Sequence, residues 1–218
     1  MKVRAVLFDL DGTLIDTEKY YRVCWPAAMK EFGFDMSDEQ ALSMRSLGRP
    51  FAPVHLKEMF GETVDYYAVR AKRREIMDAL LKEKGIEVKH GAVELLKYLR
   101  EKGIMTGVAT ATDLERTKRY LEETGLLRYF DRLISAVMVE KGKPAPDIYL
   151  YACDMMGLKP GECAAVEDAP NGIRSAFAAG CSVIMVPDQT GPDDELKTMI
   201  SARCDSLADI MNVIEGQP

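Results

Sequence analysis

Ala5-Val6-Leu7-Phe8-Asp9-Leu10-Asp11-Gly12-Thr13 decides how this chain is read. Its first four residues are apolar without alternation, the pattern of a short parallel strand buried on both faces. The run stops at Asp9, so the strand's carboxyl end opens into polar residues. Asp9 and Asp11 are two acids crowded at that end, an arrangement that is costly unless a cation joins them. A hard, oxygen-ligated ion such as Mg²⁺ is the natural partner. Gly12 lets the backbone turn sharply just beyond them.

The pattern changes after this strand. Thr17 reads as a helix N-cap, Gly33 as a C-terminal stop and Ser37-x-x-Gln40 as a capping box. Val69, Ile76 and Leu80 fall at helical spacing in a basic stretch, Tyr66 to Lys84, that Gly85 ends. Lys72-Arg73-Arg74 within it reads first as a solvated helix face, although such a cluster can also make a positive pocket on an acidic protein. From 86 onward helix and strand alternate: helix near 92–102, strand 104–110, helix from Thr112, strand near 133–136, helix 146–156, strand 163–167, helix 170–179 and strand 182–186, then peripheral helices at 192–200 and 206–214. Such alternation predicts a parallel sheet. Pro146 and Pro170 stand where a first helical turn tolerates proline, and Gly125, Gly157 and Gly180 where helices stop. The expectation is an α/β protein with a Rossmann-like, doubly wound parallel core formed by residues 1–16 and 86–218, and a small helical module, 17–85, inserted after the first strand.

Ligands of a doubly wound sheet bind beyond the carboxyl ends of its strands. The first such end is Asp9 to Thr13. The second, Thr110-Ala111-Thr112, precedes a helix for which Thr112 and Glu115 suggest a capping box. A helix N-terminus with a hydroxyl beside it can cradle a phosphate, and Thr110 is the more functional of the two threonines on this reading. The third, Gly142-Lys143-Pro144-Ala145-Pro146-Asp147, fixes a lysine in a stiff turn where it can hold an anion. The fourth, Glu167-Asp168, follows a strand as a second acidic pair that could complete a metal site; Asp168 as a plain helix cap is the competing reading.

With these motifs in this order, the chain resembles the haloacid dehalogenase superfamily, in its phosphatase and β-phosphoglucomutase-like branch with a helical cap after the first strand. The resemblance implies that Asp9 is a nucleophile forming an aspartyl-phosphate and that Asp11 is the acid and then the base. It implies that Thr110, with Ala111, and Lys143 bind the transferring phosphoryl group, and that Asp9, the Asp11 carbonyl and Asp168 hold Mg²⁺, with Glu167 acting through water or as an anchor. Dehalogenases lack an acid at the position of Asp11, so phosphoryl transfer is expected. The cap would read the leaving group, with Tyr21, Arg45 and Arg49 as candidates.

Within the branch, β-phosphoglucomutases are similar but place a histidine near Tyr21 and a Lys-Asn pair where Asp113-Leu114 stands. Those cationic and hydrogen-bonding groups suit a bisphosphorylated intermediate, so their absence favours a Mg²⁺-dependent phosphatase acting on a small phosphomonoester such as a sugar phosphate. A phosphosugar mutase is the alternative, and a non-catalytic phosphate-ligand sensor is the alternative from another class.

Composition narrows the partners. The 218 residues are 47% hydrophobic and 29% charged, a globular balance, and the net charge of -6 disfavours a general grip on nucleic acid. No window approaches the ~18 apolar residues of a membrane span, and no signal peptide is expected, so the chain is expected to be cytoplasmic, monomeric and free of membrane and nucleic-acid partners. Cys24, Cys153, Cys163, Cys181 and Cys204 are odd in number and widely spaced, suggesting reduced thiols without a disulfide framework or a zinc site. His55 and His90 are too far apart to suggest a metal pair or a catalytic relay.

Overall fold

Val6 and Phe8 enter one apolar cluster while Ala5 and Leu7 enter another on the opposite side, so the first strand is buried on both faces. The computed structural model describes residues 3–216; Met1, Lys2, Gln217 and Pro218, the outer ends of the expected core segments, lie outside the described residues. The elements are β1 (Ala5–Phe8), α1 (Glu18–Glu31), α2 (Asp38–Ser43), α3 (Phe51–Phe60), α4 (Tyr66–Lys84), α5 (Ala92–Glu101), β2 (Met105–Thr110), α6 (Leu114–Glu123), β3 (Arg132–Ser135), α7 (Asp147–Met155), β4 (Cys163–Glu167), α8 (Pro170–Ala179), β5 (Ser182–Met185), α9 (Asp194–Lys197), β6 (Ala202–Arg203) and α10 (Ile210–Glu215).

All the strands pair in parallel in the order β3-β2-β1-β4-β5-β6. The order reverses between β1 and β4, so the topological switch point lies where Asp9 and Asp168 emerge. Leu95, Leu99, Tyr120 and Ile210 of α5, α6 and α10 cover one face. Ile148, Tyr149, Ile173 and Leu196 of α7, α8 and α9 cover the other. The expected doubly wound α/β core is therefore present.

The helices α1 to α4 build a cluster of their own from Trp25, Met29, Leu56, Val69 and neighbours. Tyr21, Cys24, Met77 and Leu81 on α1 and α4 instead join the cluster of the sheet, tying the two apolar units together. The capping box at Ser37 and Gln40 forms as expected. The one expected at Thr112 and Glu115 does not: α6 is capped by Asp113, whose carboxylate accepts the Arg116 N–H. Two further expectations shorten. The stretch 192–200 is helical only over Asp194–Lys197 and 206–214 only from Ile210, and between them β6 extends the sheet. All five cysteines are buried free thiols. No helix of the described residues is long and apolar enough to cross a membrane.

Candidate active site

Asp9 is placed by the sheet itself: its N–H continues the β1–β4 ladder by donating to the Val166 carbonyl at 3.0 Å. That register brings it beside Glu167 and Asp168 at the end of β4. One carboxylate oxygen from each of Asp9, Glu167 and Asp168 lies within 4.8 Å of the others, and all three residues are buried. Gly12, at φ +82°, is needed here for two reasons: its turn suits glycine, and a Cβ would sit 2.6 Å from the Asp168 Oδ2. Gly172 in the first turn of α8 is required by close approach alone, since a Cβ there would meet the Glu167 carboxylate at 2.0 Å.

Lys143 is fully buried and donates from Nζ to Asp9 Oδ1 at 2.8 Å and to Glu167 Oε1 at 2.6 Å. Burial works against its ammonium, but Asp9 and Glu167 more than offset that, so its pKa is raised. Tyr149 of α7 donates its hydroxyl to the same Glu167 oxygen. Burial raises Glu167 strongly, Lys143 opposes it and Asp9 adds to it, leaving the carboxyl pushed up to about 7. Asp168 is likewise raised, well above the usual range, by burial and then by Asp9 and Glu167, with Arg45 opposing.

These facts test the expected metal. Against the three clustered carboxylates stand the Lys143 ammonium and, at 3.7 Å from Asp168, Arg45 Nη1. Glu167 Oε2 and Asp168 Oδ2 are buried without a hydrogen-bond partner. A negative surplus, free oxygens and an all-oxygen donor set fit a hard divalent cation such as Mg²⁺. Asp168 does not cap α8; Ala169 holds that position without a side-chain bond.

Asp11 stands apart from that cluster. Thr17 and Thr112 each donate a hydroxyl to it, at 2.6 Å, one to each oxygen. Burial raises its pKa, the Thr112 and Thr17 bonds lower it in turn, and Asp9 adds a smaller rise, so the proton is held more tightly than on an ordinary aspartate. Thr17 begins α1 but makes no cap bond, and Thr112 does not cap α6; both hydroxyls are used on Asp11 instead. Thr110, 1% exposed, accepts the Thr112 N–H at 3.1 Å, which leaves its own hydroxyl proton to donate.

The cavity above these groups has a volume of ≈ 80 Å³ and is lined by Asp9, Asp11, Thr110, Ala111, Tyr21, Arg45 and Arg49 among others. Every candidate expected on the sheet side and on the helical side thus borders one space or lies directly beneath it. Arg45 is buried, with Nη2 bonded to the Thr190 hydroxyl and its carbonyl accepting the Asn171 amide. Four residues escaped the sequence: Ser46, Glu18, Tyr149 and Arg70. Ser46, the non-glycine residue at φ 52°, donates to Asp9 Oδ2 at 3.3 Å. Glu18 is buried in the same wall and raised well above its usual range by burial and then by Asp168 and Asp11. Tyr149 carried no motif. Arg70, Arg73 and Arg74 line the cavity, whereas Lys72 pairs with Glu75 outside it. The solvated-face reading holds for Lys72 alone, because the arginines fall on the α4 side that faces the site. His55 and His90 do not line the cavity.

Fold and site together define a doubly wound α/β enzyme with an acidic centre at its switch point. The chain belongs to the haloacid dehalogenase-like hydrolases, whose family model matches residues 3–180. Hexitol phosphatase A of Escherichia coli (strain K12) is 33% identical over 186 residues, spanning 85% of this chain and 84% of its own. CbbY of Rhodobacter sphaeroides, solved with phosphate, superposes with a TM-score of 0.77 at 25% identity over 95% of this chain and 96% of its own. The β-phosphoglucomutase of Clostridium difficile shares the fold, with a TM-score of 0.83 at 22% identity over 98% and 96% of the two chains.

Proposed function

We propose that this chain is a Mg²⁺-dependent phosphatase that hydrolyses a small phosphomonoester, a sugar or polyol phosphate, through an aspartyl-phosphate on Asp9. The observation that carries the reading is the pairing of two differently held carboxylates: Asp9 against Lys143 in an acidic cluster, and Asp11 apart from it between two threonine hydroxyls. Such a split suits one nucleophile and one acid. An Asp9 oxygen bonds to phosphorus as the ester P–O bond breaks, and Asp11 gives its proton to the departing oxygen. Water then bonds to phosphorus, its proton returns to Asp11, the bond to Asp9 breaks and phosphate leaves. Lys143 and Thr110 bind the transferring group. Mg²⁺, held by Asp9, Asp168 and the Asp11 carbonyl, would neutralise phosphoryl charge. Glu167, bonded to Lys143 and Tyr149, keeps the lysine aimed at Asp9. Residues 17–85 act as the cap, with Tyr21, Arg45 and Arg49 on the leaving-group side.

One observation favours the mutase as a second reading. Cationic groups at the distal end suit a bisphosphorylated intermediate, and α4 supplies arginines to that wall. Phosphate release from a panel of small phosphomonoesters, with Mg²⁺ present and Asp9→Asn as blank, separates the two. Free phosphate well above the blank supports the phosphatase. Conversion of β-glucose 1-phosphate to glucose 6-phosphate without free phosphate would replace it with the mutase. Full activity in EDTA would remove the metal from the reading.

A further inference from the structure

The wall of the cavity formed by α4 carries arginines that form no ion pair with a carboxylate among the described residues. Tyr66, Arg70 and Arg73 recur along α4 at spacings that put them on one helix face, and all three line the cavity. Arg74 is paired with Asp113 at 2.6 Å, and Arg116 with Asp78 at 2.9 Å. Among the described residues Arg70 and Arg73 take part in no such ion pair, although Arg70 is held below the usual arginine range by burial, with Arg74 and Arg73 adding to the effect and Tyr66 and the more distant Asp113 opposing it.

Arg73 is also fixed in place. Its guanidinium carbon lies 4.8 Å from the Tyr21 ring centroid and 4.5 Å from that of Trp25, and its Nε is buried without a hydrogen-bond partner. Stacking on rings orients a planar fork and leaves its edge free to bind. Half-buried cations without an ion-pair partner are partly desolvated, and an anion that enters offsets that cost. The transferring phosphoryl group does not fill that role, because Lys143 and Thr110 serve it from the sheet side.

We propose that the phosphomonoester cleaved here carries a second anionic group, a phosphate or a carboxylate, on its leaving-group side, and that Arg70 and Arg73 bind it. This rests on the phosphatase reading, which it deepens. The substrate then spans the cavity, one anion toward Asp9 and the other against α4.

The test compares a diol monophosphate, the corresponding bisphosphate and the ω-phosphooxy carboxylate of the same chain length, as kcat/KM for phosphate release. At least one of the two compounds with a second anionic group is expected to exceed the monophosphate by roughly tenfold or more, the usual effect of hydrogen bonds to a charged group, and which of them does so identifies the second anion. Arg70→Gln/Arg73→Gln should collapse that ratio toward unity, and Arg73→Lys should restore part of it. A monophosphate turned over as well as both compounds with a second anionic group, or a ratio untouched in a folded double variant, overturns the proposal. Loss of all turnover would strike the phosphatase reading instead. A second readout then decides this one, since Trp25 is the chain's sole tryptophan and stacks on Arg73. Its fluorescence should titrate with the bisphosphate at a concentration at least tenfold below that of the monophosphate, and equal titration by both would overturn the second-anion site.

Discussion

At the scale of single residues, the site works by giving each carboxylate a different set of partners. Asp11 is held by hydroxyls that favour its ionised form against a burial that opposes it. Thr112→Val keeps the shape and removes one of them. The expected result is a fall in kcat of roughly 10–100-fold from misplacement of the acid. Because that bond lowers the Asp11 pKa, the limb of the pH–rate profile belonging to Asp11 should also move to higher pH. An unchanged rate and profile would take Asp11 out of proton transfer. Gly172 tests the neighbouring carboxylate. With a Cβ 2.0 Å from the Glu167 oxygens, Gly172→Ala must displace Glu167 and with it one of the two partners of Lys143. A kcat/KM at least roughly tenfold lower is expected, and wild-type kinetics would show that Glu167 does not aim the lysine. These details were only partly legible. Asp9, Asp11, Lys143, Glu167 and Asp168 follow strands or bracketed turns, and such positions can be read from spacing. Ser46 and Tyr149 reach the site from a loop and a helix interior, where only tertiary packing selects them.

At the scale of elements, the helical segment meets the sheet domain through two kinds of polar contact besides the apolar seam of Tyr21, Cys24, Met77 and Leu81. One is a backbone clasp: Gly48 N–H donates to the Lys143 carbonyl at 2.8 Å and Gly142 N–H to the Arg49 carbonyl at 2.7 Å. The glycines make it possible, since a Cβ on Gly48 would lie 2.7 Å from the Gly142 Cα. The clasp sets Ser46 on Asp9 and fixes the turn that carries Lys143. Gly48→Ala should therefore lower kcat/KM roughly tenfold or more while shifting Tm by only about 2–4 °C, the size of a ~1 kcal/mol change in a chain of this length. Undiminished kinetics would mean that the clasp is not part of the working state. The other contact is ionic, Asp78 of α4 against Arg116 and Arg119 of α6. Burial acts to raise Asp78, but the Arg119 and Arg116 bonds prevail and hold it below the usual carboxylate range. A depressed folded pKa contributes stability above the unfolded value and loses it as pH falls through the folded one. Asp78→Asn should thus lower Tm near neutrality, with the gap to wild type closing below about pH 3.9. A gap that does not vary with pH would assign the effect to packing. Neither contact could be read from the sequence, because each joins segments that spacing alone cannot register.

At the scale of the whole molecule, a parallel sheet was implicit in the alternation of helices and strands; its order, in which the chain leaves β3 at the edge and returns as β4 beside β1, depends on tertiary packing. The additional strand β6 was not implicit either, because its two residues carry no pattern. What the order does is gather acids from separate strands at one point. Asp9, Glu167 and Asp168 are buried together against the lysine that Asp9 and Glu167 share, so folding without a cation works against like-charge repulsion. A divalent ion that binds only the folded chain must then raise Tm with its concentration. Mg²⁺ should do so for the wild type, and EDTA should reverse it. Asp168→Asn should show the opposite balance: more stable than wild type in EDTA, because one of the repelling charges is gone, and less stable in saturating Mg²⁺, because a ligand is gone. Thermal unfolding of both proteins in both conditions reads all of this without a substrate. Curves that keep the same order with and without Mg²⁺ would mean that the acidic cluster is balanced from within, by Lys143 and Arg45, and that the switch point holds no metal.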